Sequence, residues 1–399
     1  MYQSIEPLYL TVLIILLLLI YWIQFKIRNP FWSYQPVSHF HHFYRSWLNP
    51  YVINPNFYIA KFINTLNIQT FLWDDFKNQK QFCSHINIHY WRNKNECYTP
   101  SLEKHINPYF NSDTNAYISL YYLEGILVGS IINRTLRIKL YNQRFSVSYI
   151  DYLCVHKGYR RKRVAPELIQ SHEYFQRTKS YKKCLVSLFK KEGVLHHFTP
   201  LVKYTTYSYD LRSKKSFLYH YTNQSSFYLY EVVDGSLSLL KHILEFMESI
   251  QHIFSCFIIP PVEILKQLIE RKSIVIKCLI KKDNQKTNIV ALYFFRPTGV
   301  YINSSKENIE CFASVFNRCF QRDFFIGFLS SLNKIKDTYG HLQIETLGHN
   351  IILNDCINKQ ETVLQDTVYK YKTPCAYYLY NYSFKEIQPK IHLYYCNNV

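Results

Sequence analysis

The stretch from Tyr149 to Gln170, YIDYLCVHKGYRRKRVAPELIQ, holds the residues best suited to chemistry. Its apolar run from Ile150 to His156 predicts a buried strand, and a basic turn from Lys157 to Arg163 follows. From Val164 the pattern predicts a helix, with Pro166 in the first turn, where its missing N–H costs nothing. Since the start of a helix offers unpaired N–H groups and the positive end of the dipole, the sequence predicts a site for phosphate or pyrophosphate.

The basic turn also has an ordinary explanation. Like-charged side chains in a loop commonly form a solvated face between two core elements. Arg160, Arg161, Lys162 and Arg163 therefore indicate an anion site only together with the helix start that follows them.

The same stretch closely resembles the signature of the N-myristoyltransferases (glycylpeptide N-tetradecanoyltransferases), FLCVHK-x-x-R-x-KR-[LV]-[AT]-P-x-LI. The positions that fit it are Leu153, Cys154, Val155, His156, Lys157, Arg160, Lys162, Arg163, Ala165, Pro166, Leu168 and Ile169. Three other segments are similar to that family: NPFWSYQPV (Asn29 to Val37), GILVGSI (Gly125 to Ile131) and YYLYNY (Tyr377 to Tyr382).

The resemblance implies an α+β fold of two fused GNAT-like acyltransferase domains, and the apolar N-terminus adds one transmembrane helix before them. A chain of 399 residues has the length for two such domains. We expect a membrane anchor at 1–28, an acyl-CoA-binding domain at 29–215 and a second, peptide-side domain at 216–399. The polar, basic segment from Leu211 to Asn223 is the predicted boundary.

The resemblance also implies a reaction, in which the thioester of myristoyl-CoA, as co-substrate, is attacked by the N-terminal glycine amine of a protein. The backbone amides of Tyr152 and Leu153 are then the implied donors to the thioester oxygen. The carboxylate of the last residue, here Val399, is the implied base, although Asn397, Asn398 and Val399 extend beyond the family's usual ending. The positions implied to contact acyl-CoA are Phe31, Trp32, Tyr152, Leu153, Cys154, Val155, Arg161, Arg163, Val164 and Ala165.

On the amine side the sequence departs from the family. The family has an acidic run that recognises basic peptides. The segment that aligns with it here is YWRNKN, Tyr90 to Asn95, which has no carboxylate. A GDG loop is replaced by residues around Lys372, and a family histidine falls on Ser208. Two functions therefore stay open: acyl transfer to the N-terminal glycine of an unusual protein, or an inactive acyl-CoA-binding module that recruits partners to a membrane.

The N-terminal run from Leu8 to Ile23 has no charge and predicts a single membrane-spanning helix. Tyr21 and Trp22 suit a membrane interface, while Lys26 and Arg28 place the body of the protein on the cytosolic side. A buried helix and a signal peptide are the alternatives. Eleven cysteines scattered singly agree with a reducing compartment.

Other partners and metals are less favoured. The formal charge of +19 suits an anionic membrane surface as well as nucleic acid, and no nucleic-acid-binding motif accompanies it. Cys83, His85, His89 and Cys97 have a spacing that resembles a zinc site, but without a CxxC pair we interpret them as ordinary core and surface residues. We expect no metal, no cofactor other than the acyl-CoA co-substrate, and a monomer.

The remaining pattern predicts the elements around the signature. Short apolar segments from Tyr117 to Leu153 predict an antiparallel meander with turns at Asn133–Arg134 and Asn142–Gln143. In the second half we expect helices near 236–254, 261–271, 309–318 and 324–339, and strands near 274–280, 289–295, 343–346 and 377–380.

Overall fold

In a computed structural model of the chain, the structure describes residues 6–39, 50–56, 61–91, 96–111, 113–178, 183–211, 229–282, 288–302, 306–317, 319–361, 371–384 and 393–395. The described helices are α1 (Glu6–Arg28), α2 (Gln79–His89), α3 (Asn107–Phe110), α4 (Val164–Thr178), α5 (Leu240–Ile250), α6 (Val262–Glu270), α7 (Gln321–Asn333) and α8 (Asn350–Glu361). The strands are β1 (Tyr51–Val52), β2 (Ile68–Leu72), β3 (Glu96–Tyr98), β4 (Tyr117–Leu123), β5 (Ile126–Leu140), β6 (Gln143–Val155), β7 (Ser187–Glu192), β8 (Val202–Asp210), β9 (Tyr230–Asp234), β10 (Cys256–Ile259), β11 (Val275–Lys281), β12 (Asn288–Ile302), β13 (Glu307–Phe316), β14 (His341–Glu345), β15 (Tyr371–Tyr380), β16 (Tyr382–Ser383) and β17 (Leu393–Tyr395). The fold is α+β, as the sequence predicted.

One long sheet runs through both expected halves of the chain. Its strand order is β17-β10-β5-β6-β7-β15-β8-β14-β13-β12-β11-β9, with β4 beside β5, β2 beside β4 and β3 beside β12. Strand β15, from the last tenth of the described chain, is inserted between β7 and β8 of the first half. The boundary predicted at 211–223 falls almost wholly outside the described residues, and the division into 29–215 and 216–399 stays a prediction.

The core also joins the two halves. Phe82, Phe110 and Tyr152 from the first half belong to the same buried cluster as Leu265 and Phe294 from the second. Burying apolar surface is the main favourable term in folding. The halves therefore stabilise each other, and the position of β6 depends on residues more than 100 positions away in the chain.

The turn predicted at Asn133–Arg134 is wrong, because both residues lie inside β5 and are buried. The Asn133 side chain forms hydrogen bonds to two backbone groups of the preceding segment: its Oδ1 accepts from Tyr117 N (3.2 Å) and its Nδ2 donates to Asn115 O (3.0 Å). The Arg134 guanidinium lies 4.7 Å from the Tyr109 ring centroid and 5.0 Å from that of Tyr149. Polar residues that resembled a turn are thus accommodated within a strand by tertiary contacts.

The helix predicted at 309–318 is also wrong, because Glu307–Phe316 forms strand β13. It pairs with β12 on one side and with β14 on the other, and most of its residues are buried. A short apolar run that is buried on both faces carries no periodicity that separates strand from helix. The other second-half predictions agree with the structure to within a few residues, although β12, α7 and β15 extend differently, and α8 was not predicted.

Helix α1 follows directly from the apolar run. The window Tyr9–Arg28 has a mean hydropathy of 2.3 and is 6% buried, so the helix is long and apolar enough to cross a membrane. Because nearly all of its side chains are exposed, the alternative of a buried core helix does not fit.

Candidate functional site

A cavity of about 890 Å³ opens beside the end of β6. Five of the sequence-predicted positions line it, namely Phe31, Trp32, Tyr152, Leu153 and Ala165. The other predicted contacts, Cys154, Val155, Arg161, Arg163 and Val164, lie next to these but do not line the cavity itself. We call the side formed by Phe31, Trp32 and residues 151–165 the signature wall.

The opening of the cavity comes from the way β6 leaves its neighbour. Strand β6 pairs with the parallel strand β7 only at Ser148–Ile150 and then continues to Val155 paired with β5 alone. Strand β7 instead continues alongside β15. The two strands therefore diverge, and residues 151–155 present one backbone edge to the gap between them.

Tyr152 has an unusual backbone at this point. Its φ is 46°, and the β5·β6 register shifts between Ser130 and Ile132 opposite it, which makes this a β-bulge. A left-handed backbone costs a bulky residue on the order of 1–2 kcal/mol. The side chain compensates, because the Tyr152 hydroxyl accepts from the Tyr98 hydroxyl (2.9 Å) and the ring packs edge-on against Phe82.

The same bulge gives the Tyr152 amide a partner. Its N–H donates to Asp151 Oδ1 at 2.7 Å. Of the two amides that the sequence implied as donors to a substrate oxygen, that of Tyr152 is therefore engaged by the neighbouring carboxylate in this structure.

The basic turn takes the form that an anion site needs. Arg161 and Arg163 both have a φ of 65°, and α4 begins at Val164 as the sequence predicted. The Glu167 N–H bonds Arg163 O at 3.1 Å, so the N–H groups of Val164 and Ala165 belong to the first turn and have no intrahelical acceptor. Left-handed residues next to a helix start make a concave group of backbone N–H donors. The exposed Arg161 and Arg163 side chains add charge around it.

The other two cations of the turn have different roles. Arg160 Nη2 donates to His89 O at 2.6 Å and thereby ties the end of α2 to the signature. Lys162 Nζ lies 4.9 Å from the centroid of the Tyr159 ring. Arg160 and Lys162 thus belong to an ordinary packed and solvated loop, whereas Arg161 and Arg163 remain the candidates for anion binding.

Gly129 sets the position of α4. A Cβ at Gly129 would lie 2.6 Å from Leu168 Cδ1 and 2.9 Å from Val164 Cγ1. Since only a residue without a Cβ allows the helix to approach β5 this closely, Gly129 fixes the helix start relative to the bulge.

Phe31 and Trp32 are placed by aromatic packing directly after α1. The two rings meet edge-on at 5.0 Å, and Trp32 lies 4.9 Å from Phe198 and stacks on Phe189 at 6.0 Å. Phe31 is 7% exposed. This pair forms an apolar end of the cavity, suited to a hydrocarbon chain.

A second part of the lining is charged and consists of Lys190, Glu192, Arg296 and Glu310. We call these four residues, together with the fully buried Glu345 that binds Lys190, the charged wall. Lys190 Nζ lies 2.6 Å from Glu192 Oε1 and 2.7 Å from Glu345 Oε1. Arg296 binds Glu310 through both Nε (2.6 Å) and Nη2. The sequence analysis did not identify these residues, because they come from β7, β12, β13 and β14 and share no local motif.

The ionisable groups near the bulge differ in how far burial shifts their pKa. Burial raises the pKa of Asp151 to about 6, and Arg134 and the Tyr152 N–H oppose that rise. Burial likewise raises the pKa of the Cys154 thiol to about 12, so Cys154 is no nucleophile at neutral pH.

The four residues that resembled a zinc site do not assemble into one. Cys83 Sγ donates to Pro100 O at 3.2 Å, and the His85 and His89 rings lie side by side, 5.0 Å apart. Within the described ranges no group of three or more His, Cys, Asp or Glu residues has an arrangement that could hold a metal ion.

The amine-side positions identified in the sequence lie in different parts of the structure. Tyr90 lines the cavity, while the rest of the YWRNKN segment is outside the described residues beyond Trp91. Ser208 is buried on β8, and Lys372 Nζ lies 5.8 Å from the Tyr207 ring centroid. Val399 also lies outside the described residues.

Comparison with known proteins agrees with the signature. Residues 107–195 match the family model described as myristoyl-CoA:protein N-myristoyltransferase, N-terminal domain. A search of curated protein sequences found no significant match.

Solved structures extend the likeness to the whole fold. The Saccharomyces cerevisiae N-myristoyltransferase with bound myristoyl-CoA aligns with a TM-score of 0.70 and 15% identity, covering 90% of this chain and 89% of that one. The same yeast enzyme with myristoyl-CoA and inhibitors aligns with a TM-score of 0.69 and 15% identity, over 92% and 94%. Residues 107–195 are therefore similar to the N-terminal domain of the N-myristoyltransferases, and the chain as a whole shares the fold of the yeast enzyme.

Proposed function

We propose that the protein transfers a long-chain acyl group from myristoyl-CoA to the N-terminal glycine of a protein. The observation that carries the proposal is the arrangement of the signature wall. The bulged backbone edge and the aromatic pair line a single cavity of about 890 Å³, and the start of α4 adjoins that cavity at Ala165.

Each part of that wall suits one part of an acyl-CoA. The N–H groups of Val164 and Ala165, with Arg161 and Arg163, would bind the pyrophosphate. Phe31 and Trp32 would line the acyl chain. Cys154 and Val155 would contact the pantetheine arm between these two ends.

The thioester would lie against the bulge. The backbone amides of Tyr152 and Leu153 would donate to the carbonyl oxygen as it gains negative charge in the transition state. Because these donors are main-chain groups in a buried β-bulge, the fold fixes their positions, but the Tyr152 N–H must first leave Asp151 Oδ1.

The charged wall suits an incoming amine. Three carboxylates surround Lys190, and Arg296 is neutralised by Glu310, so this side does not repel an ammonium group. The expectation of an unusual rather than basic glycyl-peptide therefore stays open to test.

We further propose that α1 anchors the protein as a single pass, with the acyltransferase body in the cytosol. Its length and exposed apolar surface support this, as do Lys26 and Arg28 at its end. Phe31 and Trp32 follow within four residues, which would put the apolar end of the cavity close to the membrane surface. Alkaline extraction of membranes and protease protection of the body would test the anchor and its orientation.

The activity is tested with the full chain in detergent micelles, radiolabelled myristoyl-CoA and a library of glycine-starting peptides. Acylated peptide with stoichiometric CoA release is the expected result. Peptides starting with alanine serve as the matched control, because the added methyl group blocks attack without changing charge. Absence of acyl-peptide above background would contradict the proposal.

An inactive acyl-CoA-binding module is the second candidate, favoured by one observation. The Tyr152 N–H already donates to Asp151 Oδ1, so one of the two proposed oxyanion donors is occupied. Tight acyl-CoA binding without turnover on any peptide of the library would support this alternative over the enzyme.

A further inference from the structure

Asp151 lies directly before the two amides proposed to polarise the thioester, and it lines the same cavity. Its residue is 8% exposed. Oδ1 is held by the Tyr152 N–H at 2.7 Å, whereas buried Oδ2 has no hydrogen-bond partner among the described residues. A buried carboxylate oxygen without a donor is costly, and it suits a ligand that brings an N–H group.

Cations face Asp151 from three strands but do not bind it. They are Arg134 on β5, Lys190 on β7 and Arg296 on β12. Among the described residues none of their nitrogens lies within ion-pair distance of Asp151, and Lys190 and Arg296 are held by Glu192 and Glu310 instead. Asp151 therefore keeps one free oxygen, while the cations stabilise its ionised form at a distance.

The other titratable groups facing Asp151 are tyrosines. Tyr90 after α2, Tyr98 on β3, Tyr109 on α3 and Tyr152 itself surround the carboxylate. Burial raises the pKa of each hydroxyl above its usual value, so they stay neutral at working pH. Burial raises the pKa of Asp151 to about 6 and that of Glu345 to about 7. Glu345 binds Lys190 and does not line the cavity, so Asp151 is the better placed of the two to accept a proton from a ligand there.

We propose that Asp151 is the general base that takes the proton from the substrate's N-terminal ammonium, in place of the carboxylate of the chain terminus. The inference rests on the proposed acyl transfer and names the residue that makes the amine nucleophilic.

The step balances without any further reactant. The ammonium gives one proton to Asp151 Oδ2, and the free amine attacks the thioester carbon, so that a C–N bond forms. The C–S bond then breaks, CoA leaves as the thiol with the second amine proton, and Asp151 returns its proton to solvent. The products are the acyl amide, CoA and one proton.

Proton transfer also frees the oxyanion donor. An ionised carboxylate accepts a hydrogen bond roughly twice as strongly as a neutral group. Once Oδ2 is protonated, the hold of Oδ1 on the Tyr152 N–H weakens. The amide then becomes available to the thioester oxygen just as the amine becomes reactive.

The test compares the full chain with Asp151→Asn, in detergent, by single-turnover acylation of a glycine-starting peptide between pH 5.5 and 9. Asparagine keeps the shape and the Oδ1 acceptor but cannot take a proton. At pH 7 we expect a rate about 10²- to 10⁴-fold lower, the range for loss of a general base, with unchanged affinity for myristoyl-CoA.

The pH profile separates a base from a merely structural residue. The wild-type rate should fall as pH drops below about 6, because Asp151 becomes protonated. The Asp151→Asn variant should not show this fall at acidic pH. Its acylation rate should instead rise about tenfold per pH unit up to the pKa of the substrate amine, about 8, above which the amine is deprotonated without a base. Asp151→Glu, which keeps a carboxylate, should retain the acidic limb and guards against a fold defect in the asparagine variant.

Asp323→Asn is the matched control. Asp323 on α7 is also a buried carboxylate whose pKa burial raises, but it does not line the cavity. It should leave the rate and the pH profile unchanged.

Three other outcomes would show which part of the proposal is wrong. An Asp151→Asn protein with the wild-type rate and profile would overturn the role of Asp151 alone. Loss of activity on adding one alanine after Val399, with Asp151→Asn still active, would give the base to the chain terminus. A wild type that binds myristoyl-CoA but acylates no peptide would overturn the proposed transfer, and with it the base.

Discussion

The two walls of the cavity are built in different ways. The signature wall is mainly backbone: a bulge at Tyr152, left-handed residues at Arg161 and Arg163, and the N–H groups at the start of α4. The charged wall is made of side chains on strands far apart in the chain, such as Lys190 with Glu345 and Arg296 with Glu310. The first needs a contiguous segment of particular conformation, whereas the second needs only that a long sheet brings opposite charges together.

This difference explains why only the signature wall carries a recognisable local motif. Backbone donors depend on a local conformation that few sequences adopt, so the residues that produce it stay recognisable. Charges can be supplied from any strand that passes the cavity. The YWRNKN segment has no carboxylate, whereas Glu192 and Glu310 bring carboxylates to the cavity from β7 and β13.

The largest expected effect is on the charged wall. Arg296→Met removes the short ion pair of buried Glu310 and leaves it only Lys190 at 4.0 Å, and removing one member of a buried ion pair costs about 3–5 kcal/mol. We expect the free energy of unfolding, measured by denaturant titration, to fall by that amount.

The double variant Arg296→Met with Glu310→Leu is the matched control, because it removes both charges. It should recover most of the stability. If the single variant were as stable as the wild type, the charged wall would not depend on buried ion pairs.

An intermediate effect is expected at the anion turn. Arg161→Gln with Arg163→Gln removes two charges that surround the N–H donors and should weaken binding of CoA about tenfold, or ~1.4 kcal/mol. Thermal stability should hardly change, since both side chains are exposed. Isothermal titration with CoA at two salt concentrations would measure the loss and a shallower salt dependence.

Lys241→Gln on α5 provides the comparison for that experiment. Its side chain is 83% exposed and lies outside the cavity lining, so it tests whether overall charge alone attracts CoA. Equal losses in both proteins would contradict a localised anion site.

The smallest expected effect concerns the contact that joins β5 to α4. Gly129→Ala places a methyl group against Leu168 and Val164, and overpacking of this kind costs about 1 kcal/mol or more. Because the start of α4 must shift, we expect a few-fold weaker CoA binding along with a lower melting temperature.

Gly125→Ala is the control that distinguishes backbone strain from displacement of α4. Gly125 has a φ of +80° with nothing within 4 Å of the added Cβ, so alanine there strains only the turn between β4 and β5. It should lower the melting temperature without changing CoA affinity. Equal CoA binding by Gly129→Ala and wild type would show that the spacing of α4 is not critical.

Much of the signature wall could be predicted from sequence because its information is local. The strand ending at Val155, the turn and the helix at Val164 all follow from apolar pattern, charge and Pro166. The apolar helix α1 is local in the same way. The Asn133–Arg134 turn and the 309–318 helix failed because burial and strand pairing outweighed local propensity there.

The sequence by itself determined the α+β class, the family resemblance, the basic turn before α4 and the apolar N-terminal helix. Only the tertiary structure decided that β15 enters between β7 and β8, that the charged wall faces the signature, and that the Tyr152 N–H is held by Asp151. The physical reason is the separation in sequence between the residues that interact. Helix starts and apolar runs are set by neighbours in the chain, whereas a free oxygen on Asp151 depends on which cations from distant strands find other partners.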